Sequence, residues 1–150
     1  MKNRIRIISI ALVVLLVLGA VYYFWDGKKT LNIQTRNGTI TYQVERAVTT
    51  EQQKKGLMYR TSLAQKNGMI FLFDPIRVVH MWMKDTLIPL DMVFFDRQGR
   101  VVHVHHNAHP QDLTVISSGR PVAGVLEINA GEAKKHSIDL RAKIDLESVR

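Results

Sequence analysis

From Leu31 onward the chain is cut into short apolar segments separated by glycine-marked turns, and no helical pattern lasts long enough for repeated crossovers between parallel strands. "LNIQTRNGTITYQVERAV" reads as a hairpin. Asn37-Gly38 suits the two positive-φ positions of a type I′ turn, and Ile40, Tyr42 and Val44 alternate with Thr41, Gln43 and Glu45. "GMIFLF" (68–73) is a continuous apolar run bounded by glycine and by Asp74-Pro75, the pattern of a buried strand, and "VVHMWM" (78–83) is a second one. "DMVFFDRQGRVVHVHH" forms another hairpin, turning at Asp96-Arg97-Gln98-Gly99. "LTVIS", "AGVLEIN" and the "KIDLESV" tail supply further short strands, the last placed to close the sheet. Helix is scarce. Thr50 and Gln53 fit a capping box, Gly56 fits a helix stop, Leu57 and Met58 then plug inward, and "AGEAKKHSI" holds one more helical turn. The expected fold is mainly β, of α+β type: a small, partly closed, barrel-like sheet of seven or eight strands with one or two short helices.

The start of the chain does not belong to that domain. Ile7 to Trp25 is nineteen residues without a charge, enough to cross a hydrocarbon core of ~30 Å at ~1.5 Å per residue. Lys2, Arg4 and Arg6 precede it, and Tyr22, Tyr23, Phe24 and Trp25 end it as an interfacial belt would. Cleavage after Ala20 would need a small residue where Leu18 stands, and the chain has no cysteine for a lipid anchor. The expected organisation is a cytoplasmic end (1–6), one uncleaved transmembrane anchor (7–25), a polar linker (26–30) and an extracytoplasmic domain (31–150). The expected location is the inner or plasma membrane, single-pass, with the domain on the periplasmic or extracellular face.

The formal charge is +8; without the leader's Lys2, Arg4, Arg6 and the linker's Asp26 it is +6. Outside the membrane such charge suits a solvated surface and anionic envelope components or proteins, not nucleic acid. The expected partners are membrane lipid, through the leader, and one such component. The absence of cysteine excludes disulfides and thiolate chemistry.

Three blocks, "GLMYRTSLAQKNGMIFLF", "MWMKDTLIPLDMVFFDRQGRVVHV" and "GVLEINAGEAKKHSI", occur in this order and together resemble the bacterial and archaeal domain of unknown function 192 family from about Ile40 to Ile144. The resemblance implies a small β-rich, barrel-like domain, often behind a signal or anchor segment, and no reaction, because the family has no established one. The matching positions are Gly56, Leu57, Met58, Arg60, Gly68, Met69 and Phe71; then Trp82, Met83, Thr86, Pro89, Leu90, Asp91, Gly99 and Val101; then Leu126, Glu127 and Gly131. Two positions depart from the family pattern: Gln53 stands where arginine is usual, which removes an ion pair, and Asp85 where asparagine is usual, which adds a charge near Asp91.

Asp85, Asp91, Asp96 and Glu127 are the acids nearest the apolar blocks. Two carboxylates in one pocket can serve as acid and base. Alternatively Asp91 ties backbone amides at a strand start, Asp96 opens its turn, and Glu127 faces water. Arg60 pairs internally with Asp91 or Glu127, or clamps a carboxylate ligand. Trp82 is a core anchor or a stacking surface. His103 and His105 share a strand face and are weak metal candidates, lacking two further ligands. Met58, Met69, Met81, Met83 and Met92 fit an irregular core, with a soft copper(I) site as the alternative. Ser62, Ser117 and Ser118 lack a nucleophile elbow, and no glycine-rich phosphate loop exists. The residues thus point to an envelope binding or accessory module without a cofactor. Its expected cleft is lined by Arg60, Trp82, Asp85, Asp91 and Glu127. An envelope hydrolase using Asp91 and Glu127, or a weak metal binder using His103 and His105, are the alternatives.

Overall fold

The structure, a computed structural model, describes residues 28–149. Seven strands form one sheet in the order β6-β5-β8-β3-β2-β1-β9: β1 (Lys28–Thr35), β2 (Gly38–Ala47), β3 (Asn67–Arg77), β5 (Leu90–Phe95), β6 (Val101–Ala108), β8 (Val122–Asn129) and β9 (Lys143–Ile144). β4 (His80–Met81) and β7 (Ile116–Ser117) make a separate two-stranded ribbon. Helix α1 (Thr50–Lys55) lies in the crossover from β2 to its parallel neighbour β3; α2 (Glu132–Lys135) follows β8. A 3-10 turn at Leu146–Val149 packs on β1.

The sheet curls into a half-barrel until its two edges meet. Arg100, just before β6, bridges Lys143 of β9, Ile144 N donates to Gly99 O at 2.7 Å, and Val101 N donates to Ala142 O. Gly99 has φ +79, and a Cβ there would run into the Ile144 carbonyl, so only glycine fits this closure. The tail therefore closes the sheet as its sequence suggested.

Strand alternation gives the sheet two apolar faces. The inner face holds Leu31, Ile33, Tyr42, Val44, Ile70, Val93, Phe95, Leu126, Ile128 and Ile144. The outer face of β3, β8 and β5 carries Met69, Phe71, Val125, Met92 and Phe94, covered by Leu57, Val79, Met83 and Ile88 from the long connections. Burial on both sides explains why these strands read as continuous apolar runs.

Several local expectations shift. Residues 28–30, read as linker, already belong to β1, because Lys28, Lys29 and Thr30 pair with Glu45, Val44 and Gln43. At the first hairpin only Gly38 takes a positive φ, so the turn is not type I′; the Thr35 hydroxyl accepts from Asn37 N and donates to Gly38 O instead. The capping box lies one residue earlier: Thr49 Oγ1 accepts from Gln52 N and Gln52 Oε1 accepts from Thr49 N. The strands read at 78–83 and in "LTVIS" shrink to the two-residue β4 and β7, since each pairs only with the other. The segment Ile7–Trp25 lies outside the described residues; among those described, no helix is long and apolar enough to cross a membrane.

Candidate functional site

One row of outward side chains crosses six strands. Strand pairing sets Lys28 opposite Glu45, Glu45 opposite Met69, Met69 opposite Glu127, Glu127 opposite Met92, and Met92 opposite His105. Adjacent members are one strand spacing apart, ~4.8 Å. At the centre, Glu127 is buried between two methionines. Among the described residues its carboxyl has no hydrogen-bond or ionic partner, and burial alone pushes its pKa up to about 8. The expectation that Glu127 faces water is thus overturned: the loops after α1 and around β4 cover the outer face of β8.

Those loops leave a cavity of about 70 Å³ over Glu127. Gln53, Gly56, Leu57 and Met58 line one side, Phe71 the sheet, and His80, Met81, Trp82 and Thr86 the other side. Gly56 ends α1 with φ +48 and sits against the Phe71 ring, which turns Leu57 into the outer core and leaves Met58 half-buried at the wall. Trp82 is 49% exposed, so it is a rim residue and not a core anchor. Lys84 Nζ stands 5.9 Å from its ring centroid.

Asp91 does not join Glu127. Asp91 pairs with Ile128 and Met92 with Glu127, so the two carboxyls project to opposite faces. The two-carboxylate hydrolase arrangement is therefore excluded by strand alternation. Fully buried Asp91 instead accepts from Asn107 N and from Ala133 N, both at 2.9 Å. The second bond caps α2, whose Gly131 has no side chain to do so. Nearby, the Tyr42 hydroxyl and Glu132 Oε2 are buried without a partner of good geometry among the described residues. Burial, then the Glu132 carboxylate, raises the Tyr42 pKa.

Arg60 pairs with neither expected partner. Its guanidinium grips Glu45 through two bonds of 2.7 and 2.6 Å. That contact holds the Glu45 carboxyl below its ordinary range, and it raises Arg60. Glu45 was missed because its period-2 setting reads as an ordinary solvated position; its two-residue offset from Ala47 along β2 and its row position become visible only with the register. Asp85 adopts φ 53, a conformation asparagine tolerates well, which explains the usual residue there. It accepts from Tyr59 Oη at 3.2 Å and does not reach the Glu127 cavity's lining. Gln53 replaces the expected arginine by donating to Leu72 O at 2.8 Å and accepting from Arg77. Asp96 is the turn residue expected, accepting from Gln98 N and Arg100 N.

His103 and His105 do share the outer face, opposite Phe94 and Met92. His103 packs against the Phe94 ring at 5.3 Å. Burial, then the neighbouring His103 and His106, lowers the His105 pKa. Among the described residues no three His, Asp or Glu side chains gather to hold a metal, so the pair lacks the further ligands a dedicated site needs. Of the expected cleft, Trp82 and Glu127 come together; Arg60 lies along the row through Glu45, while Asp85 and Asp91 stand apart.

Solved structures share this fold, two of them as follows. One is a Sinorhizobium meliloti 1021 protein described as a candidate transcription regulator, 40% identical, with a TM-score of 0.77 over 79% of this chain and 92% of that one. The other, from Novosphingobium aromaticivorans DSM 12444, is described as of unknown function; it is 36% identical, with a TM-score of 0.77 over 79% of this chain and 84% of that one. No curated protein is significantly similar. The DUF192 family, described as an uncharacterized ACR, matches residues 32–146, and the chain belongs to that family.

Proposed function

We propose that the chain is a membrane-tethered binding module that presents the Glu127 pocket outside the cytoplasm. The observation that carries the reading is Glu127 itself: a buried carboxyl, without a partner among the described residues, at the wall of a cavity rimmed by Trp82. An isolated acid between methionines costs stability that a leucine would not, and such groups concentrate where a ligand is met. Binding is favoured over catalysis because the lining supplies no second carboxylate and no serine. The tether is supported by the uncharged run Ile7–Trp25 and its three preceding cations. Lys28 follows Trp25 by three residues and lies in the same row as Glu127, three strands away, ~14 Å, so a tether ending at Trp25 would keep the pocket near the bilayer.

Two measurements test this. Alkaline phosphatase fused to the carboxyl end is active only if the domain is exported. Native mass spectrometry of the protein taken from its own membranes should show a bound species that Trp82→Ala loses. A cytosolically active reporter, or bare protein in every preparation, would end the reading.

A further inference from the structure

A second recess lies between the end of β3, the β5–β6 turn and the 3-10 turn, and it shares only Gln53 with the lining of the Glu127 cavity. A ligand here is independent of any ligand over Glu127. The recess has a volume of about 600 Å³, inside the roughly 300–1,000 Å³ range of small organic ligands. Leu72, Ala123 and Leu146 pack on the inner core and also line this recess, with exposed Val48 and Ile76 beside them. An apolar body seated there takes that surface out of water.

The charged groups set the sign of the ligand. The wall carries two guanidiniums, Arg77 and Arg97, and one carboxylate, Asp74. Arg77 is held from two sides: it lies over the Phe73 ring at 4.7 Å and donates to Gln53 Oε1 at 3.2 Å. Gln53 is fixed in turn by donating to Leu72 O. The arginine usual at position 53 has no acceptor atom and could not hold Arg77 in this way. The β3–β8 ladder is interrupted between Leu72 and Arg77, an irregularity of the kind that re-aims a side chain. Of the five N–H donors on Arg77, Gln53 engages one among the described residues. Arg97, in the β5–β6 turn, makes no side-chain hydrogen bond or ion pair among the described residues, whereas Arg100 after it pairs with Asp96. Arg97 also borders a smaller cleft whose Lys143, Asp145 and Glu147 are not part of this recess's lining. We infer that the recess binds a small organic carboxylate, its apolar body against Leu72, Ala123 and Leu146 and its carboxylate on Arg77. The planar guanidinium fork matches a carboxylate with two parallel bonds. Arg97 adds positive potential at the wall without having to touch the anion.

The test titrates hydrocinnamate and octanoate into the isotope-labelled full chain in detergent micelles and follows backbone amide signals. Saturable shifts are expected at Leu72, Arg77 and Ala123, with Met81 and Trp82 unmoved. Hydrocinnamamide, which keeps the body and lacks the charge, and acetate, which keeps the charge and lacks the body, should each bind at least about tenfold more weakly than hydrocinnamate. Arg77→Gln should weaken hydrocinnamate by about tenfold, the size of one charge-assisted hydrogen bond. Arg97→Ala should weaken it severalfold. Asp74→Asn removes the one acid of the wall and should tighten binding, a gain that a misfolded variant does not produce. Ala123→Leu places bulk in the recess and should block binding while the melting temperature holds. No saturable shift with either acid, equal affinity for hydrocinnamamide, or shifts centred on Trp82 would overturn the proposal. Tighter binding of phenethyl phosphate than of hydrocinnamate would overturn the choice of a carboxylate.

Discussion

Arg60 and Glu45 are joined by two nearly parallel hydrogen bonds, and this pair fastens the loop after α1 to the second strand of the sheet. Both side chains are about one-third exposed, 34% and 28%, so solvent screening limits the contribution to ~0.5–1 kcal/mol. Arg60→Lys loses the two-pronged geometry. Urea unfolding should show a loss within that range, with little change in the slope against urea.

Glu45 and Glu127 titrate with opposite consequences. Glu45 is held below its ordinary value of 4.5 in the folded chain, so its stabilisation is present above that pH and fades as pH falls below it. Glu127 is raised from 4.5 to about 8. The folded state keeps its proton while the unfolded chain loses it, so stability declines as pH rises from about 4.5 to about 8 and levels off beyond. At pH 7 the loss is roughly 3 kcal/mol at ~1.36 kcal/mol per unit. Glu127→Gln should flatten this slope and raise stability at pH 7 by ~1–3 kcal/mol, the buried amide offsetting part of the gain. Thermal melts at pH 5 and pH 8 separate the outcomes; equal slopes in wild type and variant would refute the assignment.

Asp91 is a structural clasp. Asp91→Ala strands two backbone N–H groups, on Asn107 and Ala133, and should cost ~2–5 kcal/mol. Chemical denaturation measures the loss. A fully stable Asp91→Ala protein would contradict the clasp role and reopen a functional one.

Gly99 closes the curled sheet. Gly99→Ala adds a Cβ against the Ile144 carbonyl at a positive φ, a combination expected to cost ~2–4 kcal/mol. Amide exchange at Ile144, whose N–H donates to Gly99 O, should quicken more than at Leu126 in the sheet centre.

The strands were legible where both faces are apolar, as in 68–73 and 90–95, because a continuous run bounded by glycine or proline has few other uses. The ribbon of β4 and β7 was overread, since apolar residues in 78–83 serve a covering layer and only His80 and Met81 of that segment pair. For the site, Trp82 and Glu127 were visible as an aromatic and an acid in apolar surroundings. Their separation from Asp91 was not, because the face that a strand residue presents depends on register, and register is set by partners far away in the chain. Arg60's true partner Glu45 was hidden for the same reason.

The two-faced sheet divides labour in a way that matters for redesign. Inner-face residues such as Leu126 and Val93 maintain the shape, while Met69, Met92, Glu127 and His105 alternate with them on the other side. Exchanging members of that outer row for others of similar volume should reshape the floor and surroundings of the Glu127 cavity and leave the barrel's architecture intact.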